Sequence, residues 1–569
     1  MQPLAAEATE ARPEGAPRPR RLPWRTVPGA VLLLLALYTL VIALGDPRAA
    51  SGSDAGGKLA TVVVMADRGT FVPDVGYWAE AQDPDGEFHP LWNTTSVGDR
   101  WVQATSLPFV VAAVPLYELG GPAGVLLLPA LGGVLAALAA RHLSRRLHGG
   151  DGWAAFWLIG AAGPALFYAG DFWEHGPALG LALLAVALAL DDEPSAPSAL
   201  LAGLAAGLAV VLRAEMLLYG VAFVVATLLV GAERRRTFAH RRRLALLVIG
   251  LGAPVLANAL VERALLSHGV RDGRAAESLA GTAGQAGSRV TDAVLTSVGL
   301  FSDERAAALL LGALLALALL TVGAHLAAPQ VVGSRAAAVA MVVAVGLYVA
   351  RFSTGPGFVP GVLAVAPLAA IGVFSARSPK ERVVLGTALG ALPLVWATEW
   401  IGNHHSQWGG RYVLLSGALL TVLAVGRLRE VGWRRPAAVV MVGLAVAVAA
   451  VGAVWHVERT RDIASAVEAA EALPGDVVVI SDLDHLGRQA GAWYGDHRWL
   501  RTATPGEVAP AAAVARAVGA TDLAVVQLAV PGETEPEAPS LGGYRVVGAP
   551  DHVPLLAGQQ LVVHRYEAG

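Results

Sequence analysis

The chain has 569 residues, of which 55% are hydrophobic and only 15% charged, with a net charge of −3. Its mean hydropathy is +0.55. Soluble domains carry about 25% charged residues, so this chain lacks the polar residues to coat the several soluble domains its length implies. The small net charge implies no nucleic-acid partner, and the absence of cysteine excludes a disulfide framework and thiolate chemistry. Lys58 and Lys380 are the only lysines. With the excess of Ala, Gly, Leu and Val, the Arg bias matches a high-GC bacterial genome of the actinobacterial kind.

Residues 1–22 are rich in Ala, Pro, Glu and Arg and read as a disordered tail. Arg18, Arg20, Arg21 and Arg25 then precede the first apolar run. No clean small-x-small cleavage site follows, so the run reads as an uncleaved anchor with a cytoplasmic N-terminus. Apolar stretches of membrane-spanning length predict about 13 transmembrane helices, at 27–45, 121–141, 152–169, 175–190, 198–212, 216–231, 243–261, 306–326, 335–350, 358–375, 383–400, 411–426 and 436–455. Alternation puts the loops 141–151, 191–197, 231–242, 327–334, 375–382 and 427–435 inside. Most are basic, with Arg234, Arg235, Arg236, Arg241, Arg242 and Arg243 crowding one and Arg427, Arg429, Arg434 and Arg435 another. Charge played no part in choosing the spans, so its agreement with the positive-inside rule supports the topology. The acidic loop with Asp191, Asp192 and Glu193 is the exception, and acidic residues weigh little in that rule.

The expected fold is therefore a polytopic α-helical membrane protein with a C-terminal extracytoplasmic α/β domain. Its divisions are a cytoplasmic tail at 1–26, a transmembrane domain at 27–455 with an outer loop at 46–120, and the α/β domain at 456–569. A second outer segment, 262–305, is rich in Gly and Ser. The C-terminal domain carries strand patterns at 476–480, 523–527 and 560–564, and helix patterns at 463–473 and 511–519. No Gly-rich phosphate loop follows any of the strands, so no nucleotide site is expected there.

Ionisable residues at the ends of membrane spans are costly and mark candidate sites. Four clusters qualify, all on the outer side of the expected topology. The first is Asp54 with Lys58, at the start of an apolar helical stretch. Asp54 reads either as a helix cap or as a general base held at the membrane surface. The second is Asp171, Glu174 and His175, in a very short turn beside Trp173; the plain alternative is an interfacial anchor with solvated charges. The third is Arg213 with Glu215, either a simple ion pair or an Arg presented to a phosphate. The fourth, 400–412, gathers His404, His405, Gln407, Trp408, Arg411 and Tyr412. Its aromatics are an interfacial belt or a platform for a sugar ring. Two adjacent histidines do not complete a metal site, so no metal or other cofactor is expected. The Asp-x-Asp pairs Asp83/Asp85 and Asp482/Asp484 leave a divalent ion as an open alternative.

In order along the chain, these clusters resemble motifs of the GT-C superfamily of membrane glycosyltransferases, in the bacterial family-39-like form (protein mannosyltransferase or aminoarabinose-transferase-like). Asp54 stands where that family has an acidic residue in its first outer loop. The stretch 106–121 resembles its Pro-rich lead into the second span. Phe167-Tyr168 with Phe172-Trp-Glu-His175, Arg213-Ala-Glu215 and Gln407-Trp-Gly-Gly-Arg-Tyr412 resemble its later turns. The chain departs from the pattern at Gly56, Gly57 and Lys58, where a second acidic residue or a Tyr is usual. It departs again at Ala214, where Pro is usual.

The resemblance implies an inverting transfer of sugar from a polyprenyl-phosphate donor to an acceptor hydroxyl on a glycan, lipid or protein, at the outer face of a bacterial plasma membrane. Asp54, Asp171 and Glu174 are the catalytic candidates, with Asp54 first. Lys58, His175, Arg213, Glu215, His404, His405, Gln407, Trp408, Arg411 and Tyr412 are the substrate-binding candidates. A lipid or sugar transporter or flippase, and a noncatalytic membrane assembly protein, are the competing classes. A transporter is expected to keep polar groups near the midplane on broken, repeated helices.

Overall fold

The computed structural model describes residues 26–91, 94–103, 106–191, 195–230, 238–266, 286–301, 305–355, 357–398, 408–471, 477–480, 491–494, 498–529, 532, 534–554 and 559–569. The protein is a polytopic α-helical membrane protein with a C-terminal α/β domain. Among the described residues, eight helices are long and apolar enough to cross a membrane, and three apolar helices are shorter: His175–Ala189, Ala196–Leu212 and Met216–Val230. Local signals set several ends. Thr26 caps Val27–Leu44 by accepting from the Gly29 amide at 3.3 Å, and Ser195 caps Ala196–Leu212 by accepting from Ser198 at 3.2 Å. Leu127–His148 finishes on Arg145 and Arg146, whose charge suits a helix C-terminus.

Two predicted spans are not continuous helices. The one at 152–169 is divided into Trp153–Gly160 and Ala165–Ala169. Pro164 has no amide hydrogen to continue the ladder, and the Gly160 carbonyl accepts from the Tyr38 hydroxyl at 2.8 Å. The one at 358–375 reduces to two short turns, Val362–Val365 and Ala369–Gly372. Pro360 and Pro367 interrupt it. Its backbone groups find partners elsewhere: the Gly361 amide donates to Gly299, the Val359 carbonyl accepts from Gly409, both at 2.8 Å, and Ala364 accepts from the Tyr348 hydroxyl at 2.6 Å. Val359 and residues 362–366 are buried in protein, the condition under which irregular backbone is tolerated at membrane depth.

Among the described residues, one helix of spanning length comes in addition to the predicted spans. Leu107–Val125 precedes Leu127–His148 and bends at Gly120 and Gly121, where φ of Gly121 is +58°, a conformation that favours glycine. At the other end of the chain, the span predicted at 436–455 continues without a break to residue 471 as Pro436–Glu471. That helix carries His456 and Thr460 from the bundle into the C-terminal domain.

The basic loops 141–151, 327–334, 375–382 and 427–435 gather at one end of the bundle, and Arg234, Arg235 and Arg236 of the remaining one lie outside the described residues. His148 pairs with Glu381 at 3.0 Å, Arg429 donates to the Gly149 carbonyl at 2.7 Å, and Arg377 donates to Ala327 at 3.0 Å. Arg146 pairs with Asp191, so Asp191 belongs to the same end, and Asp192 and Glu193 lie outside the described residues.

At the opposite end lies a hairpin of β1 (Thr94–Val97) and β2 (Arg100–Gln103), and the C-terminal sheet. The latter comprises β3 (Val477–Ile480), β4 (Arg498–Arg501), β5 (Asp522–Ala529), β6 (Tyr544–Val546), β7 (Asp551–Pro554) and β8 (Gln560–Ala568). Strand order is β4-β3-β5-β8-β6, with β7 also on β8. β4, β3 and β5 run parallel, and β8 is antiparallel to its neighbours. Three of these strands match the sequence patterns, and β4, β6 and β7 lack the run of β-branched residues that marks β3. The helix predicted at 511–519 forms as Val508–Ala517. Its apolar side shares a core with Ala60, Val75, Phe88 and Trp101 of the outer loop. Hydrogen bonds sew the seam: Trp78 Nε1 to Trp499 O at 3.1 Å, Tyr494 hydroxyl to Gly76 O at 3.2 Å, and the Arg501 amide to Phe88 O at 3.0 Å.

Candidate active site

Four short segments meet between the bundle and this outer layer. The helix Ser53–Asp67 contributes Asp54 and Lys58. The turn between Ala165–Ala169 and His175–Ala189 contributes Asp171, Glu174 and His175. The turn between Ala196–Leu212 and Met216–Val230 contributes Arg213 and Glu215. The turn entering Leu414–Val431 contributes Arg411 and Tyr412. Ser53–Asp67 is capped at Gly52, so Asp54 sits inside the first turn and is not the cap residue.

The charges form one linked network. Lys58 Nζ meets Glu174 Oε2 at 2.5 Å; Glu174 Oε1 meets Arg213 at 3.1 Å; Arg213 Nε meets Glu215 Oε1 at 2.8 Å. A second branch pairs Arg411 with Asp54 Oδ2 at 2.9 Å. Arg411 also donates to the Tyr412 hydroxyl at 2.9 Å. Aromatic rings join the branches: the Tyr412 ring lies 5.1 Å from the Arg213 guanidinium and 4.8 Å from that of Arg411. Trp173 lies 4.5 Å from the Lys58 ammonium and 5.2 Å from Arg411. Three cations face three carboxylates, and burial pushes the Lys58 ammonium down against the upward pull of Glu174 and Asp54.

Access separates the carboxylates. The Glu174 side chain is 4% exposed and the Glu215 side chain 1%, whereas that of Asp54 is 27% exposed. Asp171 is buried and its oxygens are occupied: it accepts from the Ser51 hydroxyl, from the Phe172 amide at 2.9 Å and from Trp173 Nε1 at 2.9 Å. Its geometry is that of a staple closing the turn.

His175 is buried between the stacked ring of Tyr168, 4.8 Å away, and the edge of Trp173, 4.9 Å away. Neither of its ring nitrogens has a hydrogen-bond partner among the described residues, and neither does Arg411 Nε. Trp408 is 1% exposed. It stacks on Phe167 at 5.6 Å and Trp455 at 6.0 Å, and its carbonyl accepts from the Tyr168 hydroxyl at 2.6 Å. Its ring belongs to the bundle core and offers no open face for a sugar. His404, His405 and Gln407 lie outside the described residues, as do Asp482 and Asp484. Asp83 is a loop staple: it accepts from the Tyr77 hydroxyl at 2.7 Å and from the amides of Phe88 and Glu87 at 2.9 and 3.0 Å. Among the described residues no group of three potential metal ligands converges. Sequence reasoning passed over Gln103 and His456. Gln103 approaches the helix of Asp54 from β2, and His456 Nε2 lies 2.9 Å from the Gly170 carbonyl. Both come from distant segments, and no local pattern marks them.

No family model matches this chain, and no curated protein matches it. In shape the chain is similar to ArnT from Cupriavidus metallidurans bound to undecaprenyl phosphate, at 14% identity and a TM-score of 0.47, over 95% of this chain and 98% of that one. It is also similar to the Archaeoglobus fulgidus oligosaccharyltransferase in complex with zinc and sulfate, at 14% identity and a TM-score of 0.44, over 86% of this chain and 67% of that one. The same archaeal protein with an inhibitory peptide and a dolichol-phosphate gives 14% identity and a TM-score of 0.43, over 87% of this chain and 69% of that one.

Proposed function

We propose that this protein is an inverting glycosyltransferase of the GT-C kind, taking a sugar from a polyprenyl-phosphate donor at the outer face of a bacterial plasma membrane. The N-terminus is then cytoplasmic and the C-terminal α/β domain extracytoplasmic, with the basic loops at the inner end of the bundle. The observation that carries the reading is the Asp54–Arg411 pair: a partly exposed carboxylate held at 2.9 Å from a guanidinium, at the boundary between bundle and outer layer.

The chemistry follows from charge and access. A donor phosphodiester brings one negative charge into a cluster whose cations are already matched by carboxylates. Arg411 is the cation with a competitor in reach of solvent and with an Nε that lacks a protein partner among the described residues. Phosphate engaging Arg411 loosens its hold on Asp54. The Asp54 carboxylate then accepts the proton of the acceptor hydroxyl. The hydroxyl oxygen bonds to the anomeric carbon from the face opposite the phosphate, and the bond from that carbon to the phosphate oxygen breaks. The electron pair leaves with the polyprenyl phosphate, whose added charge Arg411, Arg213 and Lys58 stabilise. Glu174 orients Lys58 and Arg213, and Asp171 holds the turn; both are positioning residues in this scheme.

A transport role draws less support. The breaks at Pro164 and Pro367 border an apolar pocket lined by Gly163, Pro164, Ala366, Leu368, Leu414 and Ala445, with no ionisable side chain. The ionisable groups collect at the end of the bundle instead. The test is sugar transfer by the protein purified into lipid, from a panel of polyprenyl-phosphate sugars, with Asp54→Asn alongside. Transfer abolished in the variant supports both class and base. Transfer that survives at full rate removes Asp54 from the scheme, and transfer from no donor removes the class.

A further inference from the structure

The β1–β2 hairpin of the outer loop ends at Gln103, whose side chain is turned against the helix Ser53–Asp67. A Cβ placed on Gly57 would stand 2.8 Å from the Gln103 carboxamide carbon and 2.8 Å from its nitrogen. A side chain at 57 would have to displace the amide, which rests on bare helix backbone. Positions 54 and 57 lie three residues apart on one helix face, where such neighbours are about 5–6 Å from each other. The carboxamide packed on Gly57 therefore lies one helical turn from Asp54.

Gln103 is 1% exposed, and its Oε1 accepts no hydrogen bond among the described residues. An unsatisfied buried acceptor is costly, and native proteins keep few of them. The same region holds the two unpartnered nitrogens of His175 and the unpartnered Nε of Arg411. The carboxylates around them are engaged by cations or amides, so what stands without a partner here is a set of groups suited to hydroxyls and a phosphate.

We propose that Gln103 is a specificity-determining residue for the donor sugar, its Oε1 accepting a hydrogen bond from one sugar hydroxyl. This rests on the glycosyltransferase reading above. In that reading the sugar lies between the phosphate-binding cations and Asp54, which brings its hydroxyls to the wall formed by Gly57 and Gln103. The substrate class is a neutral, polyhydroxylated sugar, and selection acts through one ring hydroxyl.

The test uses the full-length protein in lipid and whichever of polyprenyl-phosphate mannose, glucose, galactose or arabinose it turns over fastest, with each monodeoxy analogue of that sugar. Gln103→Leu and Gln103→Met remove the acceptor while keeping the volume; either one that folds suffices. For the parent donor, kcat/KM is expected to fall about 10- to 100-fold, the factor matching one lost hydrogen bond in a buried site. For one particular deoxy donor, the wild type already carries that loss and the variant loses no more. A purely structural role lowers the parent and every deoxy donor by the same factor, and that result overturns the proposal, as does an unchanged kcat/KM. If the wild type transfers sugar in an Asp54-dependent way and the deoxy pattern is absent, this inference alone falls. If the wild type transfers nothing from any donor, the reading it rests on falls with it.

Discussion

Lys58, Glu174, Arg213 and Glu215 form a chain of ion pairs in which each carboxylate is nearly sealed from solvent, whereas Asp54 and Arg411 meet in a pair whose carboxylate is 27% exposed. The two branches use the same residue types, lie in one site and are bridged by the same rings. They differ in whether a substrate group is able to replace a partner. Breaking a buried pair strands a charge in a poorly solvated place, which costs about 3–5 kcal/mol. A partly exposed pair exchanges partners at much lower cost. The sealed branch is thereby suited to hold geometry, and the open branch to take part in a reaction.

Substitutions on the two branches sharpen or break that contrast. Asp54→Asn is expected to lower sugar transfer about 10²–10⁴-fold with the thermal midpoint in detergent nearly unchanged; a large loss of stability would put Asp54 on the sealed side. Glu174→Gln is expected to act chiefly on stability, costing about 3–5 kcal/mol by leaving Lys58 and Arg213 under-compensated, measured as a lower midpoint and yield. Wild-type stability in that variant would mean that the sealed branch is not a scaffold.

A third prediction concerns the outer layer that carries Gln103 and covers the site. His89 is buried there, stacked on Trp101 at 5.3 Å, with its Nδ1 accepting from the Leu91 amide at 3.1 Å. Burial pushes it from 6.5 down to about 4. The unfolded chain then binds more protons than the folded one between those values. The stability contributed by neutral His89 is present above pH 6.5 and is lost as pH falls from 6.5 toward 4, by about 3 kcal/mol in all. Protease protection of residues 74–101 should drop across that window in the wild type and less in His89→Phe. The smallest effect is expected for Asp171→Asn, which weakens a staple and costs about 1–3 kcal/mol. Transfer per folded molecule should change only a few-fold, and a loss matching that of Asp54→Asn would move the base to the 170–175 turn.

Much of the site was legible because its parts are local. Asp54 with Lys58, Asp171 with Glu174 and His175, Arg213 with Glu215, and Arg411 with Tyr412 are each short sequence neighbourhoods at the ends of apolar runs, where a charge is conspicuous. Which of them pair was not legible. Glu174 pairs with Lys58, 116 positions earlier, and Arg411 with Asp54, 357 positions earlier. Trp408 had the composition of a sugar platform, and only its packing against Phe167 and Trp455 assigns it to the core.

Hydropathy and charge along the chain determined the membrane class, the approximate span positions and the gathering of basic loops at one end. Those properties follow from each segment's own transfer from water to hydrocarbon and need no neighbour. The interruptions at 161–164 and 358–372, the passage of Pro436–Glu471 into the C-terminal domain, and the core shared by that domain and the outer loop were decided by tertiary structure. So was the division of one charge cluster into a sealed and an open branch. An irregular backbone, a buried charge or a bare glycine is tolerated only when another segment supplies the missing hydrogen bond, counter-ion or side chain, and a sequence does not say which segment that will be.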